Sequence, residues 1–455
     1  MVRLLPQKNV PGPDAGSESF VGGIVQAGPL AVGGLISNVL NVVATVVVAR
    51  LLTTSQYGGI AQLLGLYFVL SMPGASLLVG AVRRITGLVA RRHHAEARSW
   101  TSGLYRKAVI GVVAWSVISV LTQSWLSKTL GLHHDGAAVA FTMIAAGVWV
   151  LLCIDRAILQ SHQRYGGLGV SLVVEIGVRT VLVLSFAELG WGIRGYALGL
   201  LLGEVAAAAQ ARLSAREAWV PASGAVAGTA GQAGQPPFGR PDPVATAGAL
   251  SVDLGAALSG FALLGVLQNA DIILVGRLDH ANSGAYAAIS VASKALVFGA
   301  ILLGSYILPE ASIRWHRGEH ALRQLGVTMV FLLVPVALLL LVALAVPKQF
   351  LSVFFGARLD RGAPAFALLA GAMACLSTTV VLTNYLLGVA RRWVVALLGA
   401  GMVILVVLIH GAHGAIMATA RAELVVQGGL VVVVMVAFAV VHQRIGDSSP
   451  QGEGA

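Results

Sequence analysis

Apolar residues in this chain form long runs broken by short polar segments. The runs lie near 21–49, 58–82, 108–127, 137–155, 166–187, 191–212, 254–276, 283–308, 325–346, 364–388, 393–411 and 422–441. A helix of about 20 such residues crosses roughly 30 Å of hydrocarbon, and a segment in hydrocarbon must satisfy its own backbone hydrogen bonds. The pattern therefore predicts an all-α polytopic membrane protein with twelve transmembrane helices. Pro29 and the Gly33-Gly34 pair predict a bend or break in the first of them.

Shifting the chain against itself by 227 residues lays Val39–Leu51 on Val266–Leu278 without a gap, and carries Arg164 onto Arg391. One offset serving two distant places predicts two six-helix lobes related by an internal repeat. The expected organisation is a tail at 1–20, a first lobe at 21–219, a second lobe at 247–445 and a disordered tail at 446–455. Residues 220–246, rich in Ala, Gly and Pro, read as a flexible linker between the lobes.

Composition agrees with this class. The chain is 57% hydrophobic and 11% charged, with a mean hydropathy of +0.84, whereas soluble domains carry about 25% charge. Orientation follows from the basic residues. With a cytoplasmic N-terminus, and with Arg194 and Arg212 at the ends of span six counted with the adjoining segments, the inner segments hold 20 of the 30 Lys and Arg and the outer segments 8, with Arg179 and Lys294 inside spans. Both termini are thus expected in the cytoplasm, in a cell inner (plasma) membrane. The net charge of +11 then reflects topology and attraction to anionic membrane lipids, and no nucleic-acid partner is expected. Cys153 and Cys375 lie in apolar spans and read as packing residues.

Several short segments resemble one family. Val48–Gly58, which contains Ala-Arg-Leu-Leu and ends in Tyr-Gly, resembles the turn between the first two spans of polysaccharide-biosynthesis exporters. These are the Wzx-like flippases of the multidrug/oligosaccharidyl-lipid/polysaccharide superfamily. Asn269–Leu278, Gly284–Ala287, Leu308–Glu310 and Arg156–Arg164 extend the resemblance, which covers roughly residues 20–440. It implies two six-helix lobes forming a V around a cavity that opens alternately to each side. It also implies a polyprenyl-linked saccharide as substrate, typically carried on pyrophosphate, and other polysaccharide-assembly proteins as a further partner class. Such a cavity needs water and cations at membrane depth.

Arg179 and Lys294 are the basic residues placed to supply them. A charge at mid-bilayer costs at least about 2.5–3.5 kcal/mol, so each needs a partner or water. Glu175 precedes Arg179 by one helical turn, so the two either neutralise each other or leave Arg179 to a headgroup. Lys294 has no acid on its own helix and lines the cavity or meets Asp271. Asp271 binds a coupling cation, gates the outer mouth, or pairs with Arg277 or Lys294. Glu204 lacks a local cation, which predicts protonation or a cross-helix partner. Glu175, Glu204 and Asp271 are the ion-coupling or gating candidates. Arg50 and Arg277, equivalent under the repeat, either anchor their helices at the outer interface or take up phosphate there. Asn41 and Asn269 are polar spots inside spans, with helix–helix hydrogen bonding as their default role.

Enzyme chemistry is not expected. No GxxxxGK[ST] phosphate loop is present, no cofactor is implied, and the His316/His320 pair lacks a third metal ligand at a standard spacing. A polytopic sugar-transferring enzyme usually carries a large outer loop, and the longest here, 347–365, is short. A cation-coupled small-molecule (multidrug) antiporter of the same superfamily remains the main alternative, although the first span carries no acidic residue. A major-facilitator carrier would show Gly-x-x-x-Asp-Arg-x-Gly-Arg-Arg after span two, where this chain has Arg83–Arg92 without the Asp.

Overall fold

The structure, a computed structural model, describes residues 14–219, 247–316, 322–389 and 391–446. The expected linker at 220–246 lies outside the described residues. The described residues form thirteen α-helices and no strand. The first lobe comprises α1 (Asp14–Leu51), α2 (Thr54–Ala90), α3 (His94–Leu130), α4 (Gly136–Ser161), α5 (Tyr165–Glu188) and α6 (Gly192–Glu217). The second comprises α7 (Ala247–Leu278), α8 (Ser283–His316), α9 (Leu322–Ala345), α10 (Pro347–Phe355), α11 (Ala363–Gly388), α12 (Val394–Gly411) and α13 (Ile416–Gly446). Twelve of these are long and apolar enough to cross a membrane, and the nine-residue α10 is the exception.

The structure differs from the sequence reading at the ends of α2 and α3 and at α10, and the first helix is not broken. α2 and α3 each run 37 residues, because Ala, Arg, Glu and Leu keep the chain helical beyond the apolar stretch. The basic loop expected between them shrinks to a tight turn around Arg91–His93, and Arg83, Arg84, Arg98, Arg106 and Lys107 lie on the helices. α1 is continuous through Pro29. A proline inside a spanning helix forfeits one backbone bond, which the neighbouring helix environment tolerates. α10 occupies a stretch expected to be loop. Its Pro347 starts the helix at the one place where a missing amide proton costs nothing.

The repeat is visible in three dimensions. α1 ends at Leu51 and α7 at Leu278; α4 begins at Gly136 and α11 at Ala363, so both pairs keep the 227-residue offset. Packing repeats as well. α2 lies on α4 as α8 lies on α11, α4 on α6 as α11 on α13, and α1 on α5 as α7 on α12. α10 breaks the symmetry, standing where the first lobe has only the turn between α3 and α4.

The lobes meet where α2 lies along α7 and α8. At the face that the basic-residue count places outside, the first turns of α2 and α8 touch backbone to backbone. A Cβ on Gly284 would fall 2.0 Å from the Thr54 carbonyl oxygen, and one on Gly58 2.7 Å from Ser283 Cβ, so both positions require glycine. Arg50, at the end of α1, donates to the Val353 carbonyl of α10. Arg358 donates back to the Arg50 carbonyl at 2.7 Å, and the Tyr57 ring lies 6.3 Å from that of Phe355. Deeper in, Gln62 Nε2 donates to the Leu130 carbonyl at 2.8 Å and to the Ile273 carbonyl at 3.0 Å. One buried amide thus satisfies an orphan carbonyl at the end of α3 and joins α2 to the other lobe.

Replacing Gln62 by Leu leaves both carbonyls without their donor in a buried site. The expected cost is about 1–3 kcal/mol, read as a lower melting temperature of the detergent-purified protein. An unchanged melting temperature would show that this amide does not hold the lobes together.

Candidate functional site

In the first lobe, α6 carries glycines at 195, 199 and 203, one turn apart on the face against α5. Small residues at this spacing let two membrane helices approach closely. A Cβ on Gly203 would lie 2.8 Å from Arg179 Cβ and 3.0 Å from the Glu175 carbonyl oxygen. This contact brings α6, with its neighbouring Glu204, against the part of α5 that carries Glu175 and Arg179.

The expected Glu175–Arg179 neutralisation on one helix does not form. Glu175 accepts instead from Arg156 of α4 at 2.7 Å. The same guanidinium donates to Ser171 at 3.1 Å and lies 5.4 Å from the Trp149 ring. Arg156 follows the apolar run expected to end near 155, but α4 continues to Ser161 and buries it. The adjacent Asp155, also buried, accepts from Arg212 of α6 at 3.0 Å. Arg179 is therefore released from Glu175, and donates to Asn41 Oδ1 of α1 at 3.3 Å. Glu204 finds the cross-helix partner that its isolation predicts, accepting from Tyr67 of α2 at 2.6 Å. Its other oxygen has no partner among the described residues.

In the second lobe, Tyr286, Ser290 and Lys294 stand one turn apart on a single face of α8 and all donate to Asp271 of α7, each at 2.9 Å. All four side chains are buried. Of the fates open to Asp271 in the sequence, pairing with Lys294 is the one observed, and Lys294 is committed to that carboxylate. Sequence reading passed over Glu423 of α13, which accepts from Gln427 at 3.2 Å. Gln427 in turn donates to the Leu267 carbonyl of α7 at 3.3 Å. The two helices run antiparallel, so Glu423, one turn from Gln427, stands level with Asp271, one turn from Leu267.

A cavity of about 50 Å³ opens among α1, α2, α5 and α6, with Val291 of α8 forming its wall toward the other lobe. Asn41, Thr45, Tyr57, Arg179, Thr180 and Tyr196 supply its polar groups, and the remaining lining is aliphatic. Arg179 is the charged residue among them, and neither Asp nor Glu lines the space. Of the residues singled out from sequence, the cavity gathers Arg179 and Asn41. Asn269 instead bonds to the Gly265 carbonyl of its own helix at 2.9 Å. Arg50 lies in the interlobe contact described above, and Arg277 is exposed at the end of α7. Thr180 and Tyr196 were missed, since hydroxyls inside apolar spans give no signal until the helices are packed, and Tyr57 was read only as part of the Tyr-Gly turn. Among the described residues no group of three His, Cys, Asp or Glu is placed to hold a metal ion, and His320 lies outside them.

This arrangement of helices is found in known proteins. It is similar to an inward-facing multidrug resistance MATE family transporter of the MOP superfamily, with 13% identity and a TM-score of 0.65 over 91% of this chain and 96% of that one. An outward-facing MATE family transporter matches at 14% identity and a TM-score of 0.62, over 94% and 96%. A MOP superfamily transporter from Pyrococcus furiosus, described by the reverse polarity of its binding pocket, matches at 14% and 0.63, over 93% and 95%. No protein-family description and no curated protein matches the sequence. The chain thus has the two-lobed MATE-type transporter fold. At these identities the likeness is one of fold.

Removing one partner of the buried Lys294–Asp271 pair strands the other charge, at a cost of about 3–5 kcal/mol. Lys294→Met is expected to lower the melting temperature sharply, and Lys294→Met with Asp271→Leu to recover much of the loss. Thermal unfolding of the two purified variants checks this; a single variant as stable as the wild type would mean that the pair is not closed.

Proposed function

We propose that this protein is an exporter of a polyprenyl-linked saccharide, moving the headgroup across the plasma membrane by alternating access of its two lobes. One observation carries the reading: the cavity beside the interlobe contact is lined by a guanidinium and hydroxyls and by no carboxylate. Such a surface favours an anionic headgroup over an organic cation. Arg179 and Asn41 are its principal contacts. The lipid tail stays in the bilayer beside α1, whose Leu35, Val39 and Val42 are exposed. Arg50 and Arg277 lie at the expected outer rim, where the headgroup would depart. Membrane lipids and other polysaccharide-assembly proteins are the partners of this reading, and both termini are cytoplasmic in it.

Glu204, with its partnerless oxygen, and the Asp271–Glu423 pair are the groups through which a cation gradient would drive the cycle. Glu175 is held by Arg156 and acts on Arg179 only at a distance. A second reading, cation-coupled antiport of small molecules, is favoured by the proteins of the same fold that are named multidrug transporters.

Mass spectrometry of lipids co-purifying with the wild type and with Arg179→Ala separates the two. A polyprenyl-phosphate-linked sugar retained by the wild type and depleted about tenfold or more in the variant is the expected result. Ordinary phospholipid alone in both samples, together with drug-stimulated ion flux in proteoliposomes, would select the antiporter. In the same assay Glu204→Gln is expected to keep the bound lipid while abolishing acceleration of transport by an imposed proton gradient.

A further inference from the structure

The cavity holds more donors than the protein satisfies. Tyr57 is 3% exposed and Thr180 is 7% exposed; both line the cavity, and neither hydroxyl has a hydrogen-bond partner among the described residues. They approach from α2 and α5, and Arg179 stands one residue before Thr180. Asn41 Oδ1 and the Asn41 carbonyl already accept from Arg179 and Thr45, so the acceptors of that wall are in use. What remains is a guanidinium and two unpartnered hydroxyls on residues that line a space of about 50 Å³. A buried water needs roughly 10–15 Å³ by the same measure. The space therefore admits a few waters or one tetrahedral oxyanion.

Charge points the same way. Two cations at membrane depth would match the two negative charges of a pyrophosphate diester. Lys294, the second of them in the sequence, is buried on Asp271 with Tyr286 and Ser290 filling the remaining positions of that carboxylate. The cavity is left with one guanidinium, which matches the single negative charge of a phosphodiester.

Resting on the exporter reading above, we infer that the cavity is a phosphoryl subsite built for one phosphate, held by Arg179, Tyr57 and Thr180, and that the carrier lipid is linked to its sugar by a single phosphate. The aliphatic remainder of the lining, including Val48, Ile60 and Val291, excludes bulk water and strengthens each of these hydrogen bonds.

The test measures binding of synthetic farnesyl-phosphate-glucose, the matching farnesyl-diphosphate-glucose, farnesol and sodium phosphate to the full-length detergent-purified protein. The monophosphate diester is expected to bind about tenfold more tightly than the diphosphate. Tyr57→Phe and Thr180→Val should each weaken it by about tenfold and leave farnesol binding unchanged, with melting temperatures near the wild type as the folding control. Saturation by sodium phosphate alone would assign the subsite to a free oxyanion and overturn the lipid part of the inference. Equal or tighter binding of the diphosphate would overturn the single-phosphate part, and wild-type affinity in both hydroxyl variants would reduce the cavity to hydrated packing space. The two readings fail separately. A co-purifying polyprenyl sugar that depends on Arg179 but not on Tyr57 or Thr180 leaves the exporter standing without this subsite. Hydroxyl-dependent binding of the probe without any co-purifying polyprenyl sugar does the reverse.

Discussion

A charge inside hydrocarbon must be matched by the protein itself, and that constraint orders the interior of this molecule. Arg156 of α4 holds Glu175 of α5, Arg212 of α6 holds Asp155 of α4, and Lys294 of α8 holds Asp271 of α7. Each of these pairs joins two helices of one lobe. Among the described residues no ion pair within 4 Å crosses from one lobe to the other. Interlobe contacts are made by neutral groups and backbone: Gln62 on a carbonyl, glycine on glycine, Phe68 against Phe298 at 5.3 Å. The charged side chains among the interlobe bonds described above, Arg50 and Arg358, each end on a carbonyl at the exposed rim. Separating the lobes then breaks modest contacts, while breaking a lobe apart would unpair buried charge. The pairs tie helices together within each lobe, and a neutral seam between the lobes is where separation costs least.

The two lobes share a plan but close their polar interiors differently. Under the 227-residue offset, Lys294 falls on Tyr67 and Asp271 on Ala44. The same station on α8 and α2 carries a donor in both lobes. In the second it reaches back to α7; in the first, the equivalent place on α1 is alanine and the donor turns to Glu204 on α6. The lysine of the second lobe is thereby taken up by a carboxylate of the same lobe. The first lobe keeps Arg179, whose counterpart under the offset is Val406, facing a space with no acid in it. At these stations the repeats have diverged in polarity.

Spans and repeat were legible because both are written in hydropathy, a property of each segment alone. The ends of α2 and α3 were not, since helix continues into water wherever the residues favour it, and hydropathy marks only the hydrocarbon edge. Partner choice was harder still. Glu175 and Arg179 sit one turn apart, and local spacing nominated them as a pair. Packing of α4 on α5 supplied a better-placed guanidinium from Arg156, which the sequence put at a loop. Glu423 was lost at the start of an apolar run, and Tyr57 and Thr180 carry no charge to draw attention. Lys294 and Asp271 were legible as a possible pair because each lacked a local partner, but only the α7–α8 packing shows that the pair forms and consumes the cation.

That consumption bears on how a headgroup would cross. If Arg179 is the cation left facing the cavity, the headgroup's charge is matched by the first lobe alone. The second lobe contributes Val291, an apolar wall. A phosphoryl group seated there would keep its donors as the lobes rock, because α2 and α5, which supply them, belong to the same lobe. Only the apolar wall is exchanged for water or lipid. The electrostatic cost of translocation would then be met once, on entry into the cavity, rather than again at the change of access.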